Sequence, residues 1–126
     1  MRLTLTLLLL TGTAQAQTPM TAEEFEAFST GQTLDYFIDG TFWGSERHLS
    51  DRKTLDADAE GPCREGEWFP KGDQICFVYE GDAGEHCWRF FRDGSRVLAQ
   101  TDDGSLSTEV TLADQPLACP GPDVGV

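Results

Sequence analysis

Basic residues are scarce in this sequence: nine lysines and arginines stand against 22 aspartates and glutamates in 126 residues. Phosphate backbones and anionic lipid surfaces repel a chain so charged, which argues against nucleic acid and the membrane surface as partners. Long apolar runs are scarcer still. The only one, Leu3 to Leu10 broken by two threonines, falls far short of the ~20 residues of a spanning helix. Histidine occurs twice, at His48 and His86, and neither has a second histidine at metal-ligand spacing. The four cysteines form no C-x-x-C pair, so neither a zinc site with closely paired ligands nor a dithiol redox centre is indicated. Ser45 and Ser50 flank His48 but lack the turn of a nucleophile elbow. There is no internal repeat beyond a hairpin rhythm, no low-complexity stretch and no linker.

What is present begins with a leader. Arg2, the apolar run and the triplet Ala14-Gln15-Ala16 have the order of a signal peptide, with small residues where signal peptidase reads them. Cleavage is expected after Ala16, and no cysteine follows the run to carry a lipid anchor. Arg2 leaves with the leader, so the mature chain has 22 acidic against eight basic residues, a formal charge of −14. One domain over residues 17–126 follows, large enough for a modest core. Cys63, Cys76, Cys87 and Cys119 all lie in it. An even number of cysteines in a small exported domain reads as two disulfides.

The period of the chain then changes once. Thr21 is placed to cap a short helix, with Glu24 as its capping-box partner, Phe25 and Phe28 on one face and Gly31 as the stop. From Thr33 the period is two. Strands are expected over Thr33–Ile38, Thr41–Leu49, Arg52–Ala59, Cys63–Phe69, Gln74–Glu80, His86–Arg92, Ser95–Thr101 and Ser105–Leu112. Asp39-Gly40 between the first two is a strong hairpin signal. Pro70-Lys71-Gly72-Asp73 reads as a turn, and Glu80-Gly81-Asp82 and Asp102-Asp103-Gly104 as turns rather than calcium loops. Such a meander with no intervening helices would leave exposed edges unless it closed. The fold class is therefore mainly β: a small antiparallel up-and-down barrel or two-layer meander of lipocalin-like style, with a short N-terminal helix.

Strand phase bears on the cysteines and the aromatics. Ile75, Phe77 and Tyr79 share one face, and so do Trp88 and Phe90, which puts Cys76 and Cys87 on the opposite face of neighbouring strands. Bonding Cys76 to Cys87 leaves Glu80 to Ala83 as the turn, and Cys63 with Cys119 then pins the tail. The pairing of Cys63 with Cys76 and Cys87 with Cys119 stays open at this point. Trp43, Trp68, Phe77, Tyr79, Trp88, Phe90 and Phe91 are many bulky groups for so small an interior. Solid packing is the expectation; a cavity among them would hold a small apolar ligand. Asp56, Asp58 and Glu60 alternate and are expected on a solvated outer face, and both histidines are expected as surface strand residues.

Cys63-x-x-Gly66-x-Trp68, Ile75-Cys76-Phe77-Val78-Tyr79-Glu80, Cys87-Trp88-x-Phe90 and Pro116-Leu117-x-Cys119-Pro120-Gly121-Pro122 together resemble a family of small exported proteins of alphaproteobacteria. The resemblance runs over nearly the whole mature chain and implies a periplasmic home without implying a chemistry. With no catalytic set, no cofactor motif and no metal ligands in view, a non-enzymatic binding or interaction module is the expected function. The acidity suits a basic protein partner, and inhibition of a cationic enzyme such as lysozyme is one form this would take. A carboxylate-dependent hydrolase is the catalytic alternative. It requires two acidic groups with separated pKa values in one cleft.

Overall fold

In the computed structural model, which describes residues 17–59 and 61–119, strands follow one another round a closed antiparallel barrel. The expected leader over residues 1–16, Glu60 and residues 120–126 lie outside the described residues. The helix α1 spans Ala22–Ser29; the strands are β1 Thr33–Ile38, β2 Thr41–His48, β3 Lys53–Asp58, β4 Arg64–Lys71, β5 Gln74–Tyr79, β6 His86–Asp93, β7 Arg96–Gln100 and β8 Ser107–Leu112. Each strand pairs with its sequence neighbours, and β8 closes the ring on β1 through the register Leu34 to Leu112 and Tyr36 to Val110. Closure removes the sheet edges that an open meander would expose.

The up-and-down barrel with its short helix is thus the fold the alternation announced, and the boundaries move by only a few residues. The third strand starts at Lys53 because Ser50–Arg52 forms a single 3₁₀ turn in which Asp51 and Arg52 take positive φ. The fourth runs on through Pro70 to Lys71, so its hairpin is the two-residue Gly72-Asp73 turn rather than four residues. At Asp39-Gly40 both residues have positive φ, 49° and 78°, as the tight hairpin requires.

Helix α1 forms where its caps say. The Thr21 side chain accepts the Glu24 backbone N–H, and the Glu24 carboxylate accepts the Thr21 N–H in return. The helix lies over one end of the barrel and drops Phe25, fully buried, among the inward-facing rings of the strands: Phe90 at 4.4 Å, Trp68 at 5.1 Å and Phe77 at 6.2 Å. Met20 N–H donates to the Phe90 carbonyl before the helix, and Gly31 N–H to the His48 carbonyl after it. Arg52 clasps the outside, donating to Glu26 at 3.1 Å while its guanidinium lies 4.5 Å from the Trp68 ring centre. Leu34, Ile75, Val97, Ala99 and Val110 complete the core around this plug.

The disulfides are Cys63–Cys119 and Cys76–Cys87, the first of the two pairings left open. Cys76 sits directly opposite Cys87 on adjacent strands. Cys63–Cys119 closes a separation of 56 residues and ties the segment after β8 to the start of β4. Their presence places the protein in an oxidising compartment.

Candidate functional site

Among the described residues, nothing plugs the end of the barrel opposite α1. Side chains on its inner wall alternate with outward ones, so cross-strand register names the residues that meet there. On β2 the inward set is Gly44, Glu46 and His48; on β3 it is Asp58, Asp56 and Thr54, each opposite its β2 counterpart. Arg64 on β4 sits opposite Asp56, and Tyr79 on β5 opposite Gly66. Together with Tyr36, His86 and Trp88 these surround a cleft of about 250 Å³ whose floor is Phe77 and Phe90. A β-bulge helps to shape its lip. Between Tyr36 and Phe37 the β1–β2 register slips by one, leaving Trp43 without a partner on β1 and turned to the opening.

Glu46 lies deepest of the carboxylates, 1% exposed. Tyr79 donates its hydroxyl to Glu46 at 2.6 Å, and Tyr36 lies close enough to feel the Glu46 charge. Burial, then the neighbouring Glu46 and Asp56 charges, push both phenols well above the ordinary tyrosine range, so they stay protonated donors. His48 Nε2 approaches the other Glu46 oxygen at 2.9 Å without an aligned hydrogen bond, and His48 Nδ1 has no hydrogen-bond partner among the described residues. Higher in the cleft, Arg64 donates to Asp56 at 2.6 Å, approaches Asp82 at 3.8 Å and lies 4.7 Å from the Tyr79 ring centre. Asp82 in turn meets His86 at 2.7 Å. Burial is the largest influence on Asp56. It outweighs the Arg64 hydrogen bond and, with repulsion from Glu46, lifts the carboxyl above the usual aspartate range.

Several expectations change here. Solid packing holds only for the half of the barrel next to α1, where Trp68, Phe77 and Phe90 are buried as foreseen. In the other half, β2 and β3 point Gly44, Glu46, Asp56 and Asp58 inward, and such a wall offers no bulk to fill the space. Tyr79 and Trp88 only flank the core, and Trp43, 43% exposed, belongs to the rim. Asp56 and Asp58 are not on a solvated outer face. Alternation establishes that they share a side, but not which side. His48 is no surface residue either: it is 1% exposed, with the Phe25 ring 5.5 Å away, because its strand ends beneath the plug. His86 does reach solvent at the mouth.

The remaining candidates keep their structural roles. Asp103 accepts from Ser105 N–H and Thr101 Oγ1, which builds the β7–β8 turn. Cys76, Cys87 and Glu85 bring ligand atoms within 4.8 Å of one another, but the disulfide consumes both sulfurs. A larger depression of about 580 Å³ crosses the outer wall of β3 to β5, between Lys53, Glu65, Glu67 and Glu80. It is open to solvent and gathers no aromatic wall beyond Tyr79, so the barrel mouth is the stronger site.

Tyr36, Glu46 and Arg64 are cleft residues that sequence reasoning did not single out. The signal was there in the register: once β2 and β3 are paired, Glu46 and Asp56 must face each other. Compared with family models, curated proteins and solved structures, the chain finds no match.

Proposed function

We propose that this is a non-enzymatic binding protein of the periplasm, working through the open mouth of its barrel. The observation that carries the reading is the asymmetry of the interior. One end is sealed by Phe25, while the other keeps a 250 Å³ recess that joins aromatic walls to a few placed polar groups. Small-ligand sites have that composition, and the mouths of β-barrels are among the places they occur. The volume lies just below the ~300 Å³ of drug-sized sites, which suits a small molecule. The leader and the disulfides support an exported home.

The test is ¹⁵N-correlated NMR of the mature protein against a library of small fragments. Shifts concentrated at Gly44, Asp58, Tyr79, His86 and the Trp43 and Trp88 indoles are expected. Shifts confined to the outer wall, or none with any fragment, would overturn the reading.

A hydrolase is the second reading, and one observation favours it. Glu46 and Asp56 are paired carboxyls in one cleft, and Asp56 holds its proton to higher pH than an ordinary aspartate. Against it, Arg64 clamps Asp56 and Tyr79 occupies Glu46, so neither carboxylate is free to attack or to activate water. Turnover of chromogenic glycosides or esters that disappears in Asp56→Asn would establish catalysis.

A further inference from the structure

Taking the mouth as a ligand site, we infer that its ligand is a small organic cation, an ammonium or guanidinium carried on a compact apolar body. The inference rests on the binding role proposed above and goes on to name the chemistry.

The cleft already holds one cation in this manner. The Arg64 guanidinium lies between two carboxylates, Asp56 and Asp82, and against the face of Tyr79. An aromatic face and an anionic partner are the two attractions that recognise such groups, and both strengthen where water is excluded. Arg64 does not exhaust the supply. Among the described residues, Glu46 is buried with the Tyr79 hydroxyl and the poorly aligned His48 ring as its polar contacts. Asp58 has no ion-pair partner among the described residues. Trp43, Trp88 and Tyr36 are not stacked on any cation among the described residues. A cation held close stabilises a buried carboxylate such as Glu46, and these three rings, Glu46 and the exposed rim carboxylate Asp58 frame the space left open.

An anion would meet the reverse: four carboxylates against Arg64, whose charge is already paired with Asp56 and Asp82. A neutral apolar guest would fill the volume but add no positive charge beside Glu46 or Asp58, neither of which faces a lysine or arginine in an ion pair among the described residues. The cationic ligand is the one that the charges, the rings and the size all accommodate.

The experiment compares three probes of one shape by titration calorimetry on the mature protein: 2-phenylethylammonium, the neutral 2-phenylethanol and the anionic 3-phenylpropanoate. The cation is expected to bind at least tenfold more tightly than the alcohol, and the carboxylate more weakly than either. Asp58→Asn, an exposed rim change that should leave the fold intact, is expected to weaken the cation severalfold without altering the alcohol. If the alcohol binds as tightly as the cation, or Asp58→Asn affects both alike, the cation assignment falls while the binding role stands. If none of the three binds and the fragment library also finds nothing at the mouth, both fall together.

Discussion

Replacing Phe25 with alanine removes the plug on which the division of the interior depends. The ring is fully buried and touches His48, Trp68, Phe77 and Phe90 with centroid distances between 4.4 and 6.2 Å. Deleting a buried phenylalanine loses its transfer free energy and leaves a cavity, together about 3–5 kcal/mol. The surrounding strands cannot collapse into the gap, because barrel closure and the disulfides fix their positions, so the upper part of that range is expected. Against a total stability of about 5–15 kcal/mol this is a large fraction, yet with both disulfides intact the chain should still fold. Urea unfolding followed by tryptophan fluorescence, in a Trp43→Phe, Trp88→Phe background that leaves Trp68 as the reporter, reads the change at its point of contact, since Trp68 packs edge-on to the Phe25 ring. A midpoint drop equivalent to less than about 1 kcal/mol would show that Phe25 is not embedded as described. An unchanged midpoint with altered cleft binding would refute the separation of plug and mouth.

Other perturbations have equally definite outcomes. Cys63→Ala with Cys119→Ala should destabilise by about 4 kcal/mol, against about 3 kcal/mol for Cys76→Ala with Cys87→Ala, because the first pair closes the longer loop; denaturant midpoints of the two double variants give the order. Gly44→Ala should lose about 1–3 kcal/mol, since its Cβ would stand 2.6 Å from the Ala57 carbonyl oxygen on the neighbouring strand; thermal melting measures it. Asp56 sets a pH dependence. Its folded carboxyl binds a proton more readily than the ordinary value of 3.8, so its contribution to stability is fully present below that pH and is lost as pH rises through the raised value. Asp56→Asn removes the term, so the stability of wild type relative to the variant should fall from pH 4 upward, a trend that urea midpoints between pH 3 and 6 will show or deny.

How much of this could be read in the chain differs between its two halves. Around β5 and β6 the alternating large residues Ile75, Phe77, Trp88 and Phe90 declare an inner face, and with it the outward pairing of Cys76 and Cys87. Capping residues and paired phenylalanines declare α1 in the same way. On β2 and β3 the alternation sets polar residues against Ser45, Arg47, Leu55 and Ala57, so polarity no longer distinguishes inside from outside. Glu46, His48, Asp56 and Asp58 resemble a solvated face for that reason. They point inward because the neighbouring strands and barrel closure fix the phase, which is a property of the ring and not of any single strand. The cleft was hidden by the same circumstance that makes it a candidate site: carboxylates at positions where a filled barrel would carry leucine or valine.

The most direct measurement uses the three indole N–H signals as witnesses to where a cation sits. With 4-amino-TEMPO, a small paramagnetic cation, the signals of Trp43 and Trp88 should broaden together while that of Trp68, sealed behind α1, stays sharp; the neutral 4-hydroxy analogue should do far less at the same concentration. Equal broadening of all three indoles, or the same pattern from the neutral compound, would contradict a cation held at the open mouth.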